Sequence, residues 1–119
     1  MAPTIVTDDG DPFLATGSPG GSMIITTVLQ VLMERIDAGK TLPQAIAEPR
    51  ASQRNTAATA AEPAFRTLYE AGLAAKGHSF TTSAEIGAVT GIEFLGRGGM
   101  LAAAEPTRRG GGSAQVVRP

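Results

Sequence analysis

The chain has 119 residues, with ten basic and eleven acidic side chains, one histidine, no cysteine and a net charge of −1. That balance lacks the clustered basic surface that a phosphate backbone calls for, so nucleic acid is not an expected partner. Disulfides and thiolate metal sites are excluded, and a single histidine does not anchor a transition metal without several converging carboxylates, so no metal or cofactor is expected.

The hydrophobic fraction is 42%, but 20 of those residues are alanine, and aromatics make up only 4%. Such a chain fits one domain at most and builds a thin core, which suggests that it packs on something more. No stretch approaches the ~20 apolar residues of a membrane span, and no basic region followed by an apolar one opens the chain.

Met1 to Thr7 reads as a strand entered through Pro3, Asp8-Asp9-Gly10-Asp11-Pro12 as a polar turn, and Phe13 to Thr16 as the returning strand of a hairpin. A corner of three glycines, two serines and a proline follows, Gly17-Ser18-Pro19-Gly20-Gly21-Ser22. Ser22 is the expected N-cap of a helix over Met23 to Ala38. In that helix Ile25, Val28, Leu29, Leu32 and Ile36 fall on one face, Ile24 and Val31 widen it, and Gly39 ends it. Leu42 to Ala47 reads as a short helix starting at proline and stopped by Pro49.

Asn55 to Ala61 is almost wholly Thr and Ala, a loop or weak strand. Glu62-Pro63 starts a second long helix with Phe65, Leu68, Tyr69 and Leu73 in one stripe and Gly77 at its end. Gly72 inside it suggests close packing against a neighbour. His78 fits a loop or cap residue and receives no role. Ser79 to Thr82 is an expected strand. Ile86 to Leu95 is a longer one that buries Ile92 and Phe94 and turns at Gly96–Gly99 into Met100 to Ala104. Arg108 and Arg109 are expected in a solvated or salt-bridged turn rather than an anion site. Ser113 to Val117 is a candidate last strand, and Arg118-Pro119 a frayed tail. Strands first and last around helices give an α+β class.

The glycine corner is where chemistry is expected. Gly20 and Gly21 have no side chains, so their N–H groups can lie bare at a helix start, where unpaired donors and the macrodipole favour an anion or oxyanion. No lysine follows Gly21 as in a phosphate-binding P-loop, and the Gly-x-Gly-x-x-Gly spacing of dinucleotide folds is absent. The run Gly17 to Gln30 instead resembles the glycine-loop signature of the γ-glutamyltranspeptidases, which are N-terminal-nucleophile hydrolases, and the resemblance spans nearly the whole chain. Pro49-Arg50 and Glu105-Pro106-Thr107-Arg108-Arg109-Gly110-Gly111 also resemble the family, with Glu105 for its aspartate and Thr107 for its first arginine. Ala51-Ser52-Gln53-Arg54 departs from the family pattern.

The resemblance implies the C-terminal portion of an αββα sandwich, a single partial domain over residues 1–119 from the small subunit. It implies Gly20 and Gly21 as the backbone N–H pair of an oxyanion hole, both catalytic and substrate-binding. In the family a threonine at the N-terminus of the cleaved small subunit attacks a γ-glutamyl amide with its own α-amino group as base, and the acyl group passes to water or an amino acid or peptide acceptor. No threonine of this chain matches that position. The family's substrate-contacting serine pair also falls before the part resembling Met1 to Thr4. The expectation is a fragment of a γ-glutamyltransferase or glutathione hydrolase, inactive alone. Its partners would be the missing N-terminal part or a separate complementary chain, with a γ-glutamyl peptide such as glutathione as substrate. The other expectation is a non-catalytic interaction module or one half of a split enzyme, with self-association of exposed apolar surface.

Overall fold

The structure is a computed structural model and describes residues 3–115. Strands β1 (Thr4–Asp8) and β2 (Asp11–Gly17) form the expected hairpin. Asp9 and Gly10 between them have φ of 48° and 93°, so the turn has the double positive φ that matches strand twist and favours an Asp-Gly pair. Met1 and Ala2 of the expected strand lie outside the described residues, as do Val116, Val117 and the tail Arg118-Pro119. Residues 113–115, the described part of the expected last strand from Ser113 to Val117, have no regular structure.

Helix α1 (Ile24–Ile36) follows the corner through a single 3-10 turn, Gly21–Met23. Ser22 lies inside that turn and does not cap: no side chain caps either helix start, and the Ser22 hydroxyl accepts a hydrogen bond from Arg54 Nη1 at 2.5 Å. Helix α2 (Leu42–Ala47) has the predicted bounds. Thr41 and Gln44 form a reciprocal capping box at its start, which satisfies two donors at once.

Two short strands come next, β3 (Ala51–Ser52) and β4 (Thr59–Ala61), then α3 (Pro63–Ala74), β5 (Phe80–Thr82), β6 (Thr90–Phe94) and β7 (Met100–Ala104). The main sheet is antiparallel in the order β1-β2-β6-β7. The smaller one runs β3-β4-β5, with β4 and β5 parallel across α3. The class is α+β, as expected. Helices α1 and α2 cover one face of the main sheet, where Leu14, Val31, Leu42, Ala45, Ile46, Val89 and Ala103 form the core.

Four expectations on packing are corrected. In α1 the side chains turned inward are Thr27, Val28 and Val31, whereas Ile25 is 78% exposed and Leu29, Met33 and Ile36 are about half exposed. The helix is apolar on two sides, and contacts with α2 and the sheet decide which side is covered. In β6 the expected face is inverted: Gly91 and Glu93 are buried while Ile92 and Phe94 are exposed. Glu93 is tolerated inside because Arg35 donates to both its oxygens, at 3.0 and 2.5 Å, while stacking over Phe13. In α3 no residue is buried, and its stripe lines an open apolar groove of about 540 Å³ against α1. Gly72 meets nothing within 4 Å of an added Cβ, so it marks no close packing.

The fourth correction concerns residues 86–89, which form no strand. Their backbone groups are taken by side chains instead of a ladder. Ile86 N–H donates to Glu62 Oε1 at 2.9 Å, Ala88 N–H to Ser18 Oγ at 3.0 Å and Val89 N–H to Glu105 Oε2 at 3.3 Å, while the Ile86 carbonyl accepts from Arg50 Nη1 at 2.8 Å.

Candidate functional site

The glycine corner sits where β2 leaves the main sheet. Gly17 pairs with Thr90, so the segment entering β6 lies beside the chain leaving β2, and Thr16 Oγ1 donates to the Thr90 carbonyl at 3.0 Å. Gly20 has φ 144°, ψ 10°, and Gly21 has φ 58°. Two consecutive positive φ values explain why this corner needs Gly-Gly: the first conformation is closed to residues with a Cβ, and the second is costly for most of them. The Gly20 carbonyl accepts from Met23 N–H at 3.1 Å, which starts the 3-10 turn. Among the described residues, neither the Gly20 nor the Gly21 N–H donates a hydrogen bond. Gly21 and Ser22 are exposed, Gly20 half-buried. The two residues picked out by sequence are consecutive in the chain, and among the described residues their N–H groups have no internal hydrogen-bond partner.

Below the corner, the Ser18 hydroxyl donates to the Pro19 carbonyl at 2.6 Å and accepts from Ala88 N–H. Ser18 and Thr27 are fully buried, and both press on Gly87. Behind this layer lies a four-charge cluster that sequence reading left out of the site. Arg50 bridges Glu105 at 2.9 Å; Arg108 bridges Glu62 at 2.5 Å and Glu105 at 2.9 Å. All four residues are at most 8% exposed. Two positive and two negative charges cancel, and most remaining donors reach backbone: Arg50 Nη2 to the Ile46 carbonyl, Arg108 Nη2 to the Glu48 carbonyl. Arg108 therefore sits in a salt-bridged turn, as the sequence suggested, and its charge is not free for an anion.

Burial alone would raise the Glu62 carboxyl. Hydrogen bonds from Arg108 and from the amides of Arg50 and Ile86 outweigh it and hold the group below its ordinary value. A carboxylate depressed on folding contributes stability that is present above its unfolded pKa of about 4.3 and lost as pH falls through the folded value. The urea midpoint of the chain is therefore expected to be flat above about pH 5 and to fall as the medium is acidified below about pH 4. A midpoint that rises on acidification in that window would show that this carboxylate is not stabilised in the fold.

Among the described residues no group of three or more His, Asp or Glu is placed to hold a metal ion, and no helix is long and apolar enough to cross a membrane. His78 is exposed beyond the end of α3.

Comparison with known proteins gives one consistent result. The family model described as Gamma-glutamyltranspeptidase matches residues 1–115. The glutathione hydrolase proenzyme of Bacillus subtilis strain 168 is 34% identical over 112 residues, covering 93% of this chain and 19% of the relative. That of Escherichia coli K12 is 56% identical over 50 residues, 42% of this chain and 9% of the relative. Among solved structures, a mutant of Helicobacter pylori gamma-glutamyltranspeptidase superposes with a TM-score of 0.82 at 32% identity, covering 89% of this chain and 60% of that one. The chain thus spans 9–19% of the length of these two curated relatives.

Proposed function

The chain belongs to the gamma-glutamyltranspeptidase family and shares the fold of its N-terminal-nucleophile hydrolases, and on that premise we propose that residues 1–119 act as one partial domain of a γ-glutamyltransferase or glutathione hydrolase, contributing its oxyanion-hole loop. The observation that carries the reading is the pair of adjacent, unpartnered amides at Gly20 and Gly21. A γ-glutamyl amide, as in glutathione, would place its carbonyl oxygen against these donors as negative charge develops there. Fixed donors aimed at such charge supply about 3–4 kcal/mol of transition-state stabilisation each.

The nucleophile of this reading lies outside residues 1–119. Thr4 and Thr7 lie in β1, inside the chain, and each is paired in the hairpin, to Thr16 and Pro12. Neither carries a free α-amino group to serve as its own base. Two apolar faces are open: Ile25, Leu29, Met33 and Ile36 on α1, and Ile5, Ile92, Phe94 and Met100 on the main sheet. In the complete enzyme the remaining polypeptide would cover them.

Those open faces favour the second reading equally, a binding module or half of a split enzyme. Activity separates a catalytic part from a non-catalytic module. The chain joined to the upstream part of its own or a related enzyme should hydrolyse a γ-glutamyl anilide, whether it is a fragment or half of a split enzyme; binding of such a segment without turnover would make it a non-catalytic module. Under both readings, Ile25→Glu with Leu29→Glu should change the stability of the isolated chain by no more than about 1 kcal/mol, since both positions face solvent. The same pair should lower or abolish association seen by light scattering. Association unchanged by the pair would remove α1 from the interface.

A further inference from the structure

Resting on the oxyanion-hole reading of Gly20 and Gly21, we infer that Ser18 and Gly87 are positioning residues for that corner, fixing the direction of its two amides through the irregular segment 86–89. Three observations converge. The buried Ser18 hydroxyl ties the corner to that segment, donating to the Pro19 carbonyl at 2.6 Å and accepting from Ala88 N–H at 3.0 Å across 70 residues of sequence. Gly87 lies directly beneath: its Cα would be 3.6 Å from a Cβ on Gly20. A Cβ on Gly87 itself would come within 2.6 Å of Thr27 Cγ2 and 2.7 Å of Ser18 Oγ, at a φ of +67°. The absence of a side chain at 87 is therefore what lets corner, helix α1 and segment meet.

The segment in turn is anchored by side chains. Glu62, Glu105 and Arg50 hold its backbone at Ile86 and Val89, and those three belong to the buried charge cluster. A donor pair on an exposed loop would lose alignment with a developing oxyanion through thermal motion, and preorganisation is what makes such donors effective. Among the described residues Ser18 supplies the side-chain hydrogen bond between the corner and this anchored segment, so its loss should cost alignment rather than substrate binding.

The test has two arms. In the isolated chain, 15N relaxation reports the order parameters of the Gly20 and Gly21 amides. These should be about 0.85 in the unaltered chain and in a Leu101→Ala control, and below about 0.6 in Ser18→Ala. Equal values in Ser18→Ala and the unaltered chain, or low values in both, would overturn the inference. In the chain completed with the upstream part of the enzyme, Ser18→Ala should lower kcat for a γ-glutamyl anilide about tenfold with KM changed less than twofold. Gly87→Ala, which drives a methyl into Ser18 Oγ, should lower kcat at least as far. An unchanged kcat in Ser18→Ala overturns the positioning role, and so does a kcat that falls equally in the Leu101→Ala control. Full turnover in Gly21→Val would instead sink the oxyanion reading, while the relaxation arm still decides whether Ser18 anchors the corner.

Discussion

Gly21→Val in the completed enzyme is expected to lower turnover of a γ-glutamyl anilide by about 100-fold or more, the loss that follows removal of one oxyanion-hole donor. The cause lies in the backbone. Nothing stands within 4 Å of a Cβ at position 21, so crowding is not at issue, but its φ of 58° is one that a β-branched residue strongly resists. Relaxing φ to negative values rotates the Gly20–Gly21 peptide and turns its N–H away from the substrate oxygen. Because the interaction forms mainly in the transition state, KM should move far less than kcat. Gly10→Ala is the control: it also has a positive φ and open space, but lies in the β1–β2 turn, and it should leave turnover within about twofold. A fall of less than about fivefold in Gly21→Val would mean that the amide is not an oxyanion donor.

Arg108→Met should destabilise the chain by about 3–5 kcal/mol, a large part of the 5–15 kcal/mol available to a domain of this size. Arg108 donates to both oxygens of Glu62, to Glu105 and to the carbonyls of Ile46 and Glu48. Methionine fills similar space but leaves two buried carboxylates facing one guanidinium, and two carbonyls without that donor. The neighbouring Arg109 offers a matched comparison, since its side chain is exposed, and Arg109→Met should stay within about 0.5 kcal/mol. Urea unfolding of the two variants decides the point. If both lose the same amount, the charge cluster is not the anchor described above. If Arg108→Met unfolds the isolated chain outright, the loss lies at or beyond the upper end of the expected range.

Much of the fold was legible in local sequence. Asp9-Gly10 between two apolar runs specified the first hairpin, and Pro43 with Pro49 bounded α2 to the residue. The Gly20-Gly21 pair marked the corner because the φ of 144° at Gly20 is closed to residues with a Cβ and the φ of 58° at Gly21 is costly for most of them. What local sequence could not supply was the choice between faces. Alternation in β6 separates Ile92 and Phe94 from Gly91 and Glu93, but the buried side was decided by Arg35, 58 residues away, pairing with Glu93. An exposed apolar face then looked like a core. In the same way α1 carries apolar side chains on two sides, and only contacts with α2 and the sheet pick one.

Residues 86–89 read as strand from composition, yet their hydrogen bonds go to Ser18, Arg50, Glu62 and Glu105, from 16 to 70 residues away. The cluster behind the corner was half visible. The sequence places Arg108 in a solvated or salt-bridged turn, but in it Glu62 reads only as a helix start and Arg50 only as part of a family motif. The one available signal was that three of the four stand beside a proline, at Pro49-Arg50, Glu62-Pro63 and Glu105-Pro106, where chain direction is fixed.

The central claim is that this chain brings oxyanion donors to a reaction whose nucleophile comes from elsewhere, and a γ-glutamyl anilide assay tests it most directly. The purified 119-residue chain should release no anilide above the uncatalysed rate. The chain completed with an upstream segment bearing an N-terminal threonine should turn over, and should lose that activity in Gly21→Val. Turnover by the isolated chain, abolished by replacing one of its own threonines, would contradict the claim.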